Sequence, residues 1–406
     1  MTWLCAVVFA VAVSFTGAAV NLTSPEVFNP IFYMSTNVEV LRHGIRNTSS
    51  AEQHWLHHGM DMGLMACGSF HSAQYLRRYP DLEKAYGLHG YRQAVEHYLT
   101  TGLHEHRLGY LEGGYAGHWT VSDAKHRIFL GAAARMGASV VSLVWNNYEF
   151  INSWDHGREL QMAMNFLPHG GCYNPTEAGG QADSQKSITK THIQSVHASG
   201  NTLTTKVLPA FWFRAAHPVT GDGRRCHNGK SAMNTVDTYR YPFSKKVTLE
   251  CPGVTQPCLH FWSSFTIAGD IPSWTTLQME APTGYLTGDF TVFRSYDHSS
   301  GHLVAYNHVK PMVVSTPDDR YAMGIFSSPK QDTDQYMYYG KFQFPNRFKY
   351  VGAATNKWNV VFRKHTLPAN STHVFNYDTY MCVGSVHDVT ACMKSLLHAH
   401  QSELIG

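Results

Sequence analysis

The chain has 406 residues, of which 43% are hydrophobic, 13% aromatic and 15% charged. This length predicts two or three domains, and the apolar fraction is sufficient for sizeable cores. The composition excludes wholesale disorder and disfavours a helical solenoid or a coiled coil, because it is neither charge-rich nor dominated by Ala, Glu, Lys and Leu. Lys and Arg (32) exceed Asp and Glu (29) by only 32 − 29 = 3, so no strong basic field indicates a nucleic-acid partner.

Residues 1–19 form an apolar run that ends in Gly17-Ala18-Ala19. The run is short for a membrane anchor and ends in small residues, so it predicts a signal peptide cleaved after Ala19, although it has no Lys or Arg at its start. No later stretch approaches about 18 apolar residues, and we therefore expect a secreted, extracellular chain without a membrane span. Sequons that predict glycosylated surface positions begin at Asn21, Asn47 and Asn370.

The cysteines of a secreted chain are expected to form disulfides. Sequence alone does not determine connectivity, but two pairs are close enough to close short loops and one further pair is plausible. Cys67 is left over, which predicts a free thiol or an intermolecular bridge. No CxxC spacing occurs, and this disfavours a structural zinc site. The candidate disulfides are Cys251–Cys258, Cys382–Cys392 and Cys172–Cys226.

Residues 28–110 contain an internal repeat. The matching blocks of its two copies are 42 or 43 residues apart, a repeat length typical of helical hairpins. Pro80 can begin a helix, and Gly102 stands where a left-handed helix end is needed. We therefore predict a two-copy helical region over residues 20–117. The matching blocks are Phe28-x4-Tyr33 with Phe70-x4-Tyr75, Asn37-Val-Glu-Val with Tyr79-Pro-Asp-Leu, and Ala51-x2-His54-Trp55-Leu56-x2-Gly59 with Ala94-x2-His97-Tyr98-Leu99-x2-Gly102.

The second copy, FHSAQYLRRYPDLEKAYGLHGYRQAVEHYLTTGLHEHR, resembles the short "YPDL…HY…G" helical repeats of secreted bacterial and eukaryotic proteins. Those repeats are appended to varied partners, and the resemblance implies no catalytic role. The first copy departs from the pattern, because Asn37-Val-Glu-Val replaces the YPDL block.

Histidine is the unusual component of the composition, with 26 residues. His54 and His58 are four residues apart on a predicted helix, a spacing that can bind zinc or copper. His54 aligns with His97 of the second copy, whereas position 58 aligns with Thr101, so we interpret the aligned histidine as repeat architecture. We predict neither a metal nor a cofactor, and keep a metal- or pH-responsive protein as a third hypothesis.

From residue 118 to 406 the hydrophobic period changes to two and turn residues become dense, which predicts a mainly β domain, a large antiparallel β-sandwich or barrel. Most candidate strands are rich in Val, Phe, Tyr, Trp and Thr. They are His126–Gly131, Ser139–Trp145, Thr202–Leu208, Phe211–Arg214, Lys246–Glu250, His260–Ile267, Leu277–Glu280, Phe290–Phe293, Met312–Ser315, Tyr321–Phe326 and Trp358–Arg363.

Several segments of this region resemble galactose-mutarotase-like β-sandwiches, over roughly residues 120–395. The opening GASVVSLVWNNYEFINSWDHGRELQ is followed by PTEAGG, AFWFR, KKVTL, YAMGIF and KWNVVFR, as in a group of secreted sandwich proteins of unassigned function. The resemblance implies a supersandwich fold, which carries epimerases, lyase domains, glycosidase accessory domains and inert binding domains. It implies no reaction, because one fold hosts many functions. In mutarotase-like enzymes a His acid and a Glu base lie across the pocket, and no motif here matches those positions.

Two polar segments are candidate site loops. In Asp155-His-Gly-Arg-Glu-Leu-Gln, His156 can act as a general acid and Arg158 can bind a carboxylate, phosphate or sugar hydroxyl group. Glu177, in the loop that follows Cys172, is the candidate general base. The alternatives are a structural turn in which Asp155 pairs with Arg158, and a loop in which Glu177 caps a backbone turn.

Aromatic residues supply faces that can stack on sugars, although most strand aromatics are core residues. Trp145 and Trp212 are the ligand-binding candidates, with Asp155, from a set that also includes Trp262, Tyr285 and Trp358. No GxSxG elbow, Walker loop, Rossmann GxGxxG or EF-hand loop occurs, which disfavours nucleotide-dependent chemistry.

The leading hypothesis is a secreted protein that binds or processes carbohydrate in a cleft of the sandwich. The competing hypothesis is a non-catalytic extracellular matrix or secretion component that uses the sandwich as a scaffold.

Overall fold

The structure is a computed structural model that describes residues 20–181, 183, 187–216, 231–268, 276–331, 337–345, 352, 354–365 and 371–400. The chain is mainly β with large antiparallel sheets, and helices lie at its N-terminal end, so the predicted fold class is confirmed. The predicted signal peptide, Cys226 and Asn370 lie outside the described residues. Among the described residues, no helix is both long and apolar enough to cross a membrane.

The N-terminal helices form two sets of three. The first set is α1 (Pro30–Thr36), α2 (Val38–Arg42) and α3 (Thr48–His54), and the second is α4 (Ser72–Arg78), α5 (Pro80–Tyr86) and α6 (Tyr91–His97). α3 and α6 each continue into a π-helical turn, Trp55–Gly59 and Tyr98–Gly102.

The two sets make the same internal contacts. The Tyr33 hydroxyl lies 2.7 Å from Nδ1 of His54, and the Tyr75 hydroxyl lies 3.1 Å from Nδ1 of His97. A Cβ on Gly59 would overlap the hydroxyl of Tyr33, and the same holds in the second copy for Gly102 and Tyr75. Glycine at this position therefore lets the tyrosine reach its histidine.

The strands follow the helical region along the chain. They are β1 (His118–Ser122), β2 (Ile128–Ala133), β3 (Val140–Trp145), β4 (Tyr148–Glu149), β5 (Gln161–Leu167), β6 (Pro175–Thr176), β7 (His192–Ser199), β8 (Thr202–Leu208), β9 (Ala210–Phe211), β10 (Phe243–Thr248), β11 (Cys258–Ala268), β12 (Thr276–Thr287), β13 (Val292–Asp297), β14 (His302–Ala305), β15 (Met312–Ser315), β16 (Ala322–Ser327), β17 (Met337–Phe344), β18 (Thr355–Lys364) and β19 (Thr372–Gly384).

The strands form three antiparallel sheets. One sheet has the order β1-β2-β3-β4, a second has β14-β13-β15-β16-β19-β11-β10-β8-β7, and a third has β17-β18-β12-β5-β6-β9. Side chains of the nine-stranded and six-stranded sheets meet in one continuous core, to which the first sheet also contributes. The alternation of the strands leaves the other face of each sheet outside this core.

A C-terminal helix, α7 (Val386–Ala399), packs against β16 and β19. It begins with a capping box in which Ser385 and Asp388 exchange side-chain and backbone hydrogen bonds. Its buried residues follow helical spacing, so one apolar stripe faces the sheet. These residues are Val389, Cys392, Met393, Leu396 and Leu397.

The loop after β4 joins the helical region to the six-stranded sheet. Trp154 is buried in the core of the helical region. The side-chain amide of Asn152 donates to the carbonyl oxygens of Gly352 (2.8 Å) and Ala354 (2.9 Å), just before β18. The backbone N–H of Asn152 donates to the carbonyl oxygen of Tyr285 on β12 at 2.8 Å. The helical region is therefore held at the end of the β12–β18 pair.

Candidate functional site

The outer face of the six-stranded sheet carries a cross-strand array of polar and aromatic side chains, which we call the polar face. On β18, Trp358, Val360 and Phe362 point into the core, so the intervening positions point outward. The register places Gln278 opposite Arg363, and Tyr285 opposite Lys357. The residues of the polar face are Asn165, Gln278, Glu280, Tyr285, Tyr338, Phe342, Phe344, Lys357, Asn359 and Arg363.

An ion pair lies near the middle of the polar face. Nζ of Lys357 is 3.0 Å from Glu280, and the two side chains are only 13% and 10% exposed. The ammonium group also lies 5.2 Å from the ring centre of Tyr285 and 5.3 Å from that of Phe342. Burial opposes the charge of Lys357, but Glu280 and Tyr285 outweigh it and raise the pKa of the amine. Lys357 is therefore a permanent cation between two aromatic rings.

A hydrogen-bonded group adjoins the ion pair. Nη2 of Arg363 donates to Oε1 of Gln278 at 2.9 Å, and the guanidinium group lies 5.1 Å from the ring centre of Tyr338. The Tyr338 hydroxyl donates to the same Gln278 oxygen at 3.3 Å. These contacts hold the planar groups of Arg363 and Tyr338 against one another, which fixes their orientation before any ligand arrives.

Two buried amides of the polar face have acceptor oxygens without a partner among the described residues. Asn165 is 8% exposed and Asn359 is 2% exposed. Neither side-chain oxygen accepts a hydrogen bond from the residues that the structure describes. A buried polar atom without a partner costs free energy, and both oxygens are shielded from the surface, so a ligand could reach them only if the side chains moved.

Two of the predicted site residues lie at one end of the polar face. Asp155 and Arg158 form an ion pair with a 2.6 Å contact, as the structural alternative expected. Burial raises the pKa of Tyr285, whereas the charges of Lys357 and Arg158 lower it, so Arg158 lies within electrostatic range of Tyr285. The backbone N–H of Asn152, at the start of this loop, donates to the carbonyl oxygen of Tyr285 at 2.8 Å, so the loop of Asp155 and Arg158 adjoins the polar face.

Glu177 and His156 lie in the interior. Glu177 is 1% exposed and forms an ion pair with Lys245, which is fully buried. Lys245 also donates to the carbonyl oxygen of Ala138 at 2.8 Å. His156 is 3% exposed, and its Nδ1 lies 3.0 Å from the carbonyl oxygen of Ala178. Burial raises the pKa of Glu177 and lowers that of Lys245 and of His156.

These positions bear on the predicted catalytic trio of His156, Arg158 and Glu177. In the part of the chain that the structure describes, Arg158 is paired with Asp155, Glu177 is paired with Lys245, and the side chains of His156 and Glu177 are buried. For Glu177 to accept a substrate proton, its carboxylate would have to leave the ion pair. Catalysis by this trio stays a prediction.

The two predicted aromatic ligands have different surroundings. Trp145 is half-buried and packs edge-on against Tyr321, with ring centres 6.1 Å apart. Trp212 is half-buried beside Gly157, where a Cβ would overlap its ring. Trp358, by contrast, is fully buried in the core, and Tyr285 lies on the polar face.

The cysteines form the expected short-range pairs. Cys251 is bonded to Cys258, and Cys382 to Cys392, while Cys172 is also disulfide-bonded. Cys67 is free but buried, and burial raises its pKa to about 11. An intermolecular bridge through Cys67 is therefore not supported, because the thiol is neither exposed nor ionised at neutral pH.

The described sequon residues have the exposure that glycosylation requires. Asn21 and Asn47 are exposed. Asn47 also caps α3 by accepting a hydrogen bond from the backbone N–H of Ser50 at 2.8 Å. Glycosylation at both asparagines stays a prediction.

A cavity of about 260 Å³ lies apart from the polar face, between the end of the second repeat and the β1–β2 turn. Within it the Ser122 hydroxyl lies 3.0 Å from the Tyr110 hydroxyl and 2.7 Å from Nδ1 of His126. Among the described residues, Tyr110 and His126 supply the aromatic rings that line this cavity. A second cavity, of about 290 Å³, lies beside β9 and is lined by Tyr173, Tyr239 and Tyr241.

Most residues of the polar face were missed by sequence reasoning. Gln278 and Glu280 alternate with core residues of β12, and Lys357 and Arg363 do so on β18. The same alternation is normal for a strand with one solvated face, so it gives no signal of a site. The signal lies in the register of three strands, which brings distant positions side by side.

No protein-family model matches the chain, and no curated protein matches it. Similar solved structures include the heparan sulfate lyase HepC from Pedobacter heparinus (9% identity, TM-score 0.38), a 4-alpha-glucanotransferase from Thermococcus litoralis (7%, 0.33) and a galactose mutarotase-like protein from Clostridium acetobutylicum (8%, 0.27). The alignments cover 83%, 66% and 63% of this chain, and 46%, 37% and 92% of the other chains. The chain thus spans less than half of the lyase.

Mutarotase-like proteins therefore occur among the structural neighbours, but no family model supports that resemblance or the resemblance of the helical repeats. Because every TM-score quoted lies below 0.5, we draw no conclusion about activity from these neighbours.

Proposed function

We propose that the mature protein is secreted and binds carbohydrate on the polar face. The observation that carries this proposal is the half-buried array of aromatic rings and oriented cations across β17, β18 and β12. Aromatic faces exclude water from the apolar C–H surfaces of a sugar ring, and fixed polar groups orient its hydroxyl groups.

The test is binding of a glycan array that contains neutral and acidic glycans, followed by calorimetry with any glycan that binds. Phe342 is 44% exposed, so Phe342→Ala should leave folding intact. We expect this substitution to weaken binding by roughly three- to tenfold, the loss of about 1 kcal/mol of ring contact.

The matched control is Tyr115→Ala. Tyr115 is an aromatic residue with a similar exposure of 38%, and it lies in the connection between the helical region and β1. Tyr115→Ala should not change the affinity. Equal losses in the two variants, or an affinity that neither variant alters, would place the binding site elsewhere.

A non-catalytic scaffold is the second candidate function. One observation favours it: the predicted catalytic residues Arg158 and Glu177 are both held in ion pairs, with Asp155 and Lys245. The absence of binding to any glycan of the array would support the scaffold function. Binding without any new reducing end or change of anomeric form in the bound glycan would support a binding protein rather than an enzyme.

A further inference from the structure

Three histidines cluster on the surface of the first helical copy. The ring centres of His54 and His58 are 5.5 Å apart, and those of His43 and His54 are 5.8 Å apart. His54 is half-buried, whereas His43 and His58 are exposed. His43 follows α2, and the other two lie at the end of α3 and in its π-helical turn, so two separate elements supply the cluster.

The second copy has the same scaffold without this cluster. His97 occupies the place of His54 and makes the same contact with a tyrosine hydroxyl. Thr101 aligns with His58, and Tyr86 lies 6.1 Å from His97, where the first copy has His43. The repeat therefore explains His54 but explains neither His43 nor His58. The two histidines that depart from the repeat lie beside the one that follows it.

From this difference we infer that the first copy holds a binding site for a divalent late transition metal ion, with His43, His54 and His58 as ligands. Imidazole nitrogen is a preferred ligand of zinc, copper and nickel. Three imidazoles around a tetrahedral ion, with Zn–N bonds of about 2.0–2.1 Å, have ring centres roughly 5 Å apart. The observed spacings are close to this value, and the fourth position remains for water or a second ligand.

The surroundings of His54 suit a metal ligand. Nδ1 of His54 contacts the Tyr33 hydroxyl at 2.7 Å, so Nε2 is the ring nitrogen that would bind the metal. A hydrogen bond of this kind orients the ring of a metal-bound histidine.

The site is not preassembled, because the three ligand nitrogens are not all within 4.8 Å of one another. His43 and His58 are exposed, and metal binding would require their side chains to rotate towards His54. The nearby carboxylate of Asp61 is held by Arg92 through two 2.8 Å hydrogen bonds and is not needed as a ligand. The cysteine trio Cys258, Cys382 and Cys392 does lie within 4.8 Å, but its sulfurs belong to disulfides.

The experiment titrates the mature protein with Zn²⁺ by calorimetry at pH 7.5, and repeats the titration with Co²⁺ to record its visible spectrum. The first variant, His43→Tyr with His58→Thr, gives the first copy the residues of the second. We expect it to lose at least tenfold in affinity and to lose the Co²⁺ absorption band. Both substituted positions are exposed, and circular dichroism checks that the variant is folded.

Two further variants separate this site from other histidines. His97→Gln, in the second copy, should leave Zn²⁺ binding unchanged. Tyr86→His with Thr101→His rebuilds the cluster around His97 and should add a second equivalent of bound Zn²⁺. The inference is overturned if the wild-type protein binds no Zn²⁺, or if the His43→Tyr, His58→Thr variant binds as well as the wild type.

Discussion

At the scale of single residues, the ion pair of Glu177 and Lys245 distinguishes a structural role from a catalytic one. Both side chains are buried, and the amine also donates to Thr205 at 3.0 Å. Removing one partner of such a pair leaves an uncompensated buried charge, which costs about 3–5 kcal/mol. Replacing both partners removes that cost.

We therefore predict that Lys245→Met lowers the free energy of unfolding by about 3–5 kcal/mol, measured by urea denaturation. The double variant Glu177→Gln with Lys245→Met should lose clearly less than Lys245→Met alone. If the single and double variants are equally unstable, the pair does not stabilise the interior as a unit. Glycan binding, if it occurs on the polar face, should survive in the double variant.

At the scale of elements, the glycine in each π-helical turn lies against a tyrosine in the first helix of the same set. A Cβ at Gly59 would overlap the hydroxyl of Tyr33 and crowd the Trp55 ring. Gly59→Ala should therefore destabilise the helical region by about 1–3 kcal/mol, the usual cost of overpacking. The measurement is thermal unfolding followed by circular dichroism.

Tyr33→Phe tests whether the hydroxyl is the cause of this loss. It removes the contact with His54 but also removes the atom that the new methyl group would meet. The double variant Gly59→Ala with Tyr33→Phe should therefore lose about 1 kcal/mol less free energy of unfolding than the sum of the two single losses. If the two losses of unfolding free energy are additive, glycine at position 59 is required by the backbone conformation rather than by the close approach of Tyr33.

Local patterns predicted some elements well. The predicted strands Thr202–Leu208 and Met312–Ser315 coincide with β8 and β15. Leu277–Glu280 is only part of β12, because the strand continues past an irregularity between Glu280 and Thr283. Sequence reasoning read Cys382–Cys392 as a disulfide loop. It missed that the capping box at Ser385 starts α7 inside that loop.

The candidate site was less predictable than the strands. Asp155 and Arg158 were selected because polar groups follow an apolar strand, and they do adjoin the polar face. Glu177 is predicted as a general base from its chemistry, but it lies in the interior, paired with Lys245, which is 68 residues away in sequence. From the local sequence, a charged residue that is buried in an ion pair between two sheets cannot be distinguished from one that lines a cleft.

At the scale of the whole molecule, the histidine content has a consequence at the junction between helices and sheets. His71 begins α4 and His118 begins β1, and their rings are 6.1 Å apart. Burial, the charge of His118 and the charge of Arg77 lower the pKa of His71 to about 3. Burial and Arg135 lower the pKa of His118 to about 4. Both rings therefore stay neutral in mildly acidic conditions.

The unfolded chain, by contrast, takes up these protons near pH ~6.5. The folded pKa of each group is depressed, so the stability it contributes is present above pH ~6.5 and is lost as the pH falls towards 4. For His71 alone the loss at pH 5 is about 2 kcal/mol. Acid should thus weaken the protein at the junction between its two parts.

His71→Asn tests this, because Asn cannot titrate and is also a good helix N-cap in place of the Nδ1 contact with the backbone N–H of Ala73. Between pH 7.5 and pH 5, we expect the free energy of unfolding of the wild type, from urea denaturation, to fall by about 2 kcal/mol more than that of His71→Asn. His302→Asn, at an exposed strand position, is the control and should run parallel to the wild type. A constant difference between His71→Asn and the wild type would mean that the junction does not sense pH through His71.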